Sequence, residues 1–501
     1  MKTETVVIGS GISGLTCAAL LAGLGREVTV LEADSRPGGA IKRFRRRRTP
    51  FDIGFHYTGC LGPDGILSRI WGLAGILPRL SIRPFPQGAC EELRFFGSGR
   101  QAELYFSYEE ARDGLCNRFP DCSSQIGQYM DCIRQVAMTV PFFNYDIPLE
   151  SFVRGLWRYR RQPLKEFLDS LHIPPELTAA LCQPIFLYGV PLSETSLGIH
   201  AMVAHAYLSG AYHVEGGGQA IVDAFVERLA RLGVEVLTSR RVDRIVQSSG
   251  CVKGVVTHDD VIEAQNVIYT GHPCRLPDMV DHSPLRPIYV SRLRELRNTE
   301  SMFIVFTVLA RNQDMAKRLK WRNLYGISLD DSWLLGSRAG RGSSVMATGP
   351  NLRDEDGGDR GGLILMRPAL WEEVSHFHTG KKGGRRPGYQ EWKEREAHRL
   401  LNRLCRLWPE LDGALEVAAT SSPLTFFDEL SAPEGTVYGA KHSADQLAPG
   451  VRTRIQGLFL SGQSTVMTGV VGASLSALTT VGEMVGFHRI WPRILDMDGM
   501  A

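Results

Sequence analysis

Three glycines near the start of the chain have the type and spacing to hold a dinucleotide. Thr5-Val6-Val7-Ile8 is a short apolar run, followed at once by Gly9-x-Gly11-x-x-Gly14 and then by an apolar stretch from Leu15 to Leu24. That order reads strand, tight turn, helix. Gly9 permits the turn, Gly11 leaves room for a pyrophosphate against the backbone, and Gly14 lets the helix pack close to the strand. The first helical turn, which contains Ser13, offers free N–H groups and the positive end of the helix dipole to phosphates. A second apolar run, Val28-Thr29-Val30-Leu31, ends at Glu32, placed to accept hydrogen bonds from a ribose 2′-hydroxyl. Arg36, Gly38 and Gly39 lie in the turn-rich link beyond it, on the side where a pyrophosphate would sit. Taken alone, this unit suits NAD as well as FAD.

Other chemistry-bearing residues are sparse. Phe51-Asp52-Ile53-Gly54-Phe55-His56-Tyr57 reads as a strand-like segment with polar groups among bulky ones, and Lys441-His442 follows Val437-Tyr438-Gly439-Ala440. There is no nucleophile–base triad and no carboxylate pair. The ten cysteines include no Cys-x-x-Cys pair and no His/Cys ligand spacing, so no metal is expected and the thiols read as reduced. Cys60 is expected to be a buried thiol.

These residues need a large scaffold. At 501 residues the chain exceeds what one hydrophobic core organises, and 43% hydrophobic with 22% charged residues is an ordinary globular balance. A net charge of +3 argues against a nucleic-acid partner. The basic run Lys42–Arg48 reads either as a solvated loop or as a patch for anionic headgroups at a pocket mouth. No apolar run approaches the roughly 20 residues of a spanning helix, and the first strand begins almost at Met1. The expectation is a cytoplasmic protein, at most peripheral to a membrane. Helical spacing dominates from 107 to 210, with helices at Ser124–Val140, Pro163–Leu171 and Ser193–Ala206. Short strands follow between 234 and 270, after the Gly216-Gly217-Gly218 turn and a helix at Ala220–Leu232. The spacing predicts an amphipathic helix over Glu391–Trp408, with Leu400, Leu401, Leu404 and Leu407 on one side, and exposed loops at 336–362 and 379–388. A closing strand–loop–helix unit runs from Gly457 to Phe487.

The glycine triplet with Glu32, Arg36-x-Gly38-Gly39, the Gly216–Gly218 turn and Leu458-Phe459-Leu460-Ser461-Gly462-Gln463 together resemble the flavin-dependent amine-oxidase-like superfamily. Within it, the segments 51–57, 438–442 and 462–473 resemble the phytoene desaturase, carotenoid isomerase and retinol saturase group, nearest to the retinol saturases. The resemblance implies an α/β fold. Its Rossmann-type FAD-binding domain has a parallel sheet plus a small antiparallel crossover sheet, and its substrate domain mixes sheet and helix. The implied division is 1–106, 211–285 and 421–501 for FAD binding, 107–210 for a helical cap and 286–420 for the substrate sheet.

The resemblance also implies FAD as the cofactor. Gly462 and Gln463 would lie beside its ribityl chain or phosphates, Val471 and Gly472 would aim helical N–H groups at the flavin pyrimidine edge, and Val242 would lie against the adenine. The implied activity is desaturation or saturation of a carbon–carbon bond in a lipophilic polyene or isoprenoid, with an unspecified electron partner. A flavin-dependent isomerase of such polyenes and an amine oxidase-type enzyme, with Tyr438 as a cage residue, are the alternatives. His56 and Tyr57, then Lys441 and His442, are the candidate proton-handling groups, and for each the competing role is a structural hydrogen bond. One departure concerns the substrate: the retinol saturase pattern carries an acid after the glycine–glutamine pair, where this chain has Ser464.

Overall fold

The computed structural model describes residues 1–149, 159–258, 260–281, 284–309, 313–330, 344–354 and 361–497. Lys2–Ile8 pairs parallel with Val28–Leu31 on one side and with Val261–Tyr269 on the other. Glu235–Leu237 extends the parallel sheet beyond Val28–Leu31. The long Val261–Tyr269 strand divides its outer edge. Val261–Glu263 pairs antiparallel with Cys251–Thr257, whereas Val267–Tyr269 pairs parallel with Leu458–Leu460. The parallel sheet and the antiparallel arm expected from sequence are therefore one branched sheet. The Ile12–Gly23 helix and the Gly469–Val485 helix pack together beneath it, so the two ends of the chain share one core.

The second sheet has the order Leu415–Ser421, Ser301–Leu309, Ile364–Ala369, Val345–Thr348, Asn323–Ile327, Glu91–Phe95, Gln101–Leu104. Side chains alternate across a strand, so each strand divides its residues between two faces. Phe303, Val305, Leu324, Val345, Ala347 and Leu365 point to one core, closed by the Tyr389–Leu407 helix through Trp392, Leu400 and Leu404. Leu401 and Leu407 are only partly buried, so the apolar stripe of that helix is narrower than its spacing predicts. Met302, Ile304, Phe306, Tyr325, Met346, Ile364 and Met366 point to the other core, towards the nucleotide-type domain.

Three expectations change. Glu91–Phe95 and Gln101–Leu104 belong to the second sheet, so the first segment of the nucleotide-type domain does not run to residue 106. Asn323–Ile327 recruits Glu91–Phe95 by parallel pairing across more than 200 residues of chain, which no local pattern announces. Val345–Thr348 is a fully buried strand inside the stretch read as a loop, whose other parts at 336–343 and 355–360 lie outside the described residues. Finally, the strand around Phe51 ends at Asp52. It forms a hairpin with Arg43–Arg46, so the basic run is half strand. Lys42 pairs with Asp34, Arg43 is buried between Asp52 and Asp354, and Arg47 meets Glu416. Among the described residues, no helix is long and apolar enough to cross a membrane.

Candidate active site

A cavity of about 540 Å³ lies between the two sheets and is lined from both ends of the chain, from Ile8 to Ala473. Its nucleotide-type wall starts at the glycine turn. Gly9 has φ +100°, and a Cβ on Gly14 would stand 2.0 Å from the Gly9 carbonyl oxygen, so only glycine permits this helix–strand approach. Around Gly11 the Cβ position is open, with nothing within 4 Å. Gly11 is the N-cap of its helix and supplies no side-chain cap, leaving first-turn N–H groups free; Ile12 and Ser13 line the cavity. Glu32 lines it too. Its carboxylate accepts hydrogen bonds from the Ser10 N–H (2.9 Å) and hydroxyl (2.6 Å) and from the Asp34 N–H (2.8 Å). Gly38 and Gly39, at φ +114° and +53°, carry the chain back over Gly11. Val242, Gly462, Gln463 and Val471 complete this wall.

The Gly469–Val485 helix has the same property as the first one. Its N-cap, Thr468, makes no side-chain cap, and Gly469, Val470 and Val471 border the cavity. Gly472 works from behind: a Cβ there would lie 2.1 Å from the Met467 carbonyl oxygen. A chain of buried hydroxyls joins the two helices. Ser13 Oγ lies 2.7 Å from Ser461 Oγ, Ser461 Oγ 3.2 Å from Ser476 Oγ, and Ser476 Oγ 2.5 Å from Thr465 Oγ1. Two uncapped helix N-termini and an open glycine thus face one cavity, and this cradle fits a dinucleotide with a second polar group at its far end.

Arg36 is exposed and donates to the Arg43 carbonyl at 3.4 Å, outside the cavity wall. Lys441 and His442 are also outside it. Lys441 pairs with Glu194 at 3.0 Å, and His442 Nε2 lies 2.7 Å from the Gln463 carbonyl oxygen, so His442 holds the loop that carries Gln463. Burial holds the His442 imidazole down at about 4. Cys60 is half-buried rather than buried, desolvation pushes its thiol up to about 12, and the cavity wall does not include it.

His56 and Tyr57 do line the cavity, as does the whole stretch Ile53–Thr58. Arg43 positions that stretch. It bridges Asp52 and Asp354, while Asp52 accepts the Gly218 N–H and Asp354 accepts the Gly216 N–H. The Gly216–Gly218 turn therefore serves as an anchor for the active-site loop. Burial, reinforced by the Arg353 and Arg43 charges, holds His56 down at about 3, so its ring is neutral near pH 7. Its buried Nδ1 has no hydrogen-bond partner among the described residues.

Tyr57 leads to a group that motif reading missed. Its hydroxyl donates to Glu91 Oε1 at 3.0 Å. Tyr325 Oη (3.1 Å), Gln183 Nε2 (3.2 Å) and Asn323 Nδ2 (3.3 Å) converge on the same oxygen. Burial raises the Glu91 carboxyl to about 7 against the pull of these donors and of Arg353. Arg353 is itself buried, donating to the Lys320 and His56 carbonyls and to Asn323 Oδ1. A sequence signal for Glu91 exists: in Glu91-Glu92-Leu93-Arg94-Phe95, Glu91 shares the inward alternation of Leu93 and Phe95.

The wall opposite the cradle is apolar. Tyr325, Met346 and Met366 are aligned across the second sheet, with Ile304 next to Met366. Met302, Ile304, Met346 and Met366 line the cavity there, and Phe426, on the Pro423–Leu430 helix, and Met467, just before the Gly469–Val485 helix, line it as well.

Residues 7–72 match the NAD(P)-binding Rossmann-like domain family, and residues 142–351 match the flavin containing amine oxidoreductase family. Through both segments the chain is related to the flavin amine-oxidase superfamily. Among its relatives, the all-trans-retinol 13,14-reductase of Rattus norvegicus is 27% identical, over 95% of this chain and 85% of that protein. The phytoene dehydrogenase of Streptomyces griseus is 25% identical, over 89% of this chain and 87% of that protein. A structure of putrescine oxidase bound to putrescine shares the fold at TM-score 0.65 and 16% identity, covering 97% of this chain and 99% of that one. The protein is a flavin-dependent oxidoreductase.

Proposed function

We propose that the protein is an FAD-dependent oxidoreductase that adds or removes a hydrogen pair across a carbon–carbon bond of a polyene or isoprenoid lipid. The observation that carries this reading is the wall of Met302, Ile304, Met346 and Met366 facing the dinucleotide cradle, in a cavity that Phe426 and Met467 also line. Methionine is polarizable and adapts its shape, so such a wall grips a long apolar chain and gives a polar substrate nothing to bond to. Relatives named for all-trans-retinol and for phytoene support the same substrate class.

Glu32 and Val242 would hold the adenosine end of FAD, and the N–H groups at Gly11–Ser13 its phosphates. Gly462 and Gln463 would flank the ribityl chain, and the N–H groups at Val470 and Val471 would meet the pyrimidine edge, where a helix N-terminus favours negative charge. When bound, the flavin supplies hydride exchange at N5. The chain's own part is to position the lipid, exclude water from the apolar wall and handle one proton. The purified protein should carry a flavin chromophore. Mixed anaerobically after reduction with dithionite, it should be reoxidised by all-trans polyenes; mixed oxidised, it should be bleached by their saturated counterparts. Bleaching by diamines and by no lipid would overturn the reading.

A further inference from the structure

Tyr57 stands between two environments. It lines the cavity, and its O–H points at a carboxyl that no cavity-facing spacing rule would select. A buried carboxyl, in register with Asn323 and enclosed by four side-chain donors on one oxygen, is retained only because those hydrogen bonds offset its burial. What the present arrangement provides is a single exchangeable proton next to a phenol at the cavity surface. We propose that Tyr57 is the catalytic residue that exchanges a proton with the lipid substrate, and that Glu91, acting through Tyr57, is the reservoir that restores it. This inference rests on the polyene reading above.

The step balances as follows. In saturation, a bound two-electron-reduced flavin would supply the hydride that forms a C–H bond at one carbon as the π bond breaks. The O–H bond of Tyr57 breaks as its proton bonds to the neighbouring carbon. The Glu91 carboxyl then gives its proton to the phenolate oxygen and is itself reprotonated from solvent. The lipid gains two electrons and the flavin loses two. Desaturation runs the same transfers in reverse, with Tyr57 accepting the proton.

The surroundings favour the pair over its neighbours. His56 is held neutral and cannot supply a proton near pH 7, whereas the Glu91 carboxyl titrates there. Tyr325 shares Glu91 Oε1 with Tyr57 but is fully buried and absent from the cavity wall. Tyr207, on the Leu197–Leu208 helix, packs edge-on against the Tyr57 ring at 5.3 Å and completes the aromatic shell with Phe85 and Phe106. The charged and titratable groups facing Glu91 include Tyr57, Tyr325, Tyr207, Arg353 and Cys90, and Arg353 in turn faces His56 and His213.

The test uses flavin-loaded wild type, Tyr57→Phe and Glu91→Gln, with flavin-free protein for spectroscopy. After anaerobic reduction with dithionite, reoxidation by an all-trans polyene should slow by at least about 100-fold in Tyr57→Phe, the usual scale for losing a general acid. Reduction by dithionite itself should be unchanged. The wild-type reoxidation rate should fall as pH rises through about 7, following the Glu91 titration, and this limb should vanish in Glu91→Gln. Independently of turnover, infrared spectra of the flavin-free protein should show a protonated carboxyl band that disappears through the same pH range. That transition should move to higher pH in Tyr57→Phe, which removes a donor to the carboxylate. If Glu91→Gln fails to fold, Tyr57→Phe and the wild-type spectra still decide. Reoxidation of Tyr57→Phe at the wild-type rate, a pH limb that survives Glu91→Gln, or a carboxyl that is already ionised at pH 5 would overturn the relay alone. A wild type that no polyene reoxidises would overturn the functional reading and the relay with it.

Discussion

Glu91 has a thermodynamic consequence at the residue scale. Its carboxyl sits near 7 in the folded protein, above the ordinary carboxylate value of 4.5, because burial penalises the charge. Between those two values the folded state holds a proton that the unfolded chain releases. The favourable contribution is therefore complete below about 4.5 and is lost as pH rises to about 7. At about 1.4 kcal/mol per unit the whole swing has a ceiling of about 3 kcal/mol. Denaturant unfolding of wild type and Glu91→Gln across pH 4.5–7.5 should show the wild type losing stability relative to the variant, with parallel curves above about 7. Parallel curves throughout would mean that the carboxyl is not held protonated. Arg353 and Asn323 belong to the same buried network, but they come from segments far apart in the chain, and neither residue type nor spacing marks them beforehand.

At the scale of elements, the glycines of the first turn divide into two kinds that sequence treats alike. Gly14 is held by backbone contact, since a Cβ would strike the Gly9 carbonyl, whereas Gly11 has open space. Gly14→Ala should destabilise the flavin-free protein by about 1–3 kcal/mol, the usual cost of overpacking. Gly11→Ala should melt like wild type without flavin and bind flavin at least about tenfold more weakly, a loss of about 1.4 kcal/mol. Calorimetry of both flavin-free variants, followed by flavin titration, separates the two roles, and equal melting temperatures for Gly11→Ala and Gly14→Ala would contradict the division. The hydroxyl chain between the two helices gives a further expectation. Ser476 Oγ accepts the Gly462 N–H at 2.9 Å, so Ser476→Ala leaves a buried donor unpaired. It should cost about 1–3 kcal/mol in denaturant unfolding. A cost near zero would show that Gly462 finds another acceptor.

At the scale of the whole molecule, the cavity lies between two sheets that share no strand among the described residues. One sheet supplies the cradle and the other supplies the apolar wall, so cofactor and substrate contacts should be separable by mutation. Met346→Gln is close in size but puts an amide among methionines. Flavin absorbance and flavin affinity should be unchanged, while the apparent lipid affinity should weaken by about 1–3 kcal/mol, roughly 10- to 100-fold. Stopped-flow reoxidation at varied polyene concentration reads this directly, and unaltered concentration dependence would move the lipid site elsewhere.

The cradle was legible in the sequence because its determinants are local. Gly9, Gly11, Gly14 and Glu32 act within one strand–turn–helix–strand unit, where steric demand and N–H geometry follow from spacing alone. The closing segment around Gly462 and Gln463 was legible by resemblance, and both residues line the cavity. His56 and Tyr57 line the cavity, from a segment that is an irregular turn held by Arg43 rather than the strand its residues suggest. What only tertiary structure decided is everything that depends on pairing between distant strands. The parallel register Asn323↔Glu91 moved two strands from one domain to the other and enclosed a carboxylate. It also set Tyr325 beside Met346 and Met366, which turns scattered methionines into a wall. Strand register is fixed by burial of one face against the rest of the molecule, and a one-residue slip would reverse every side chain. That information is global, and it selects the group against which the Tyr57 hydroxyl rests.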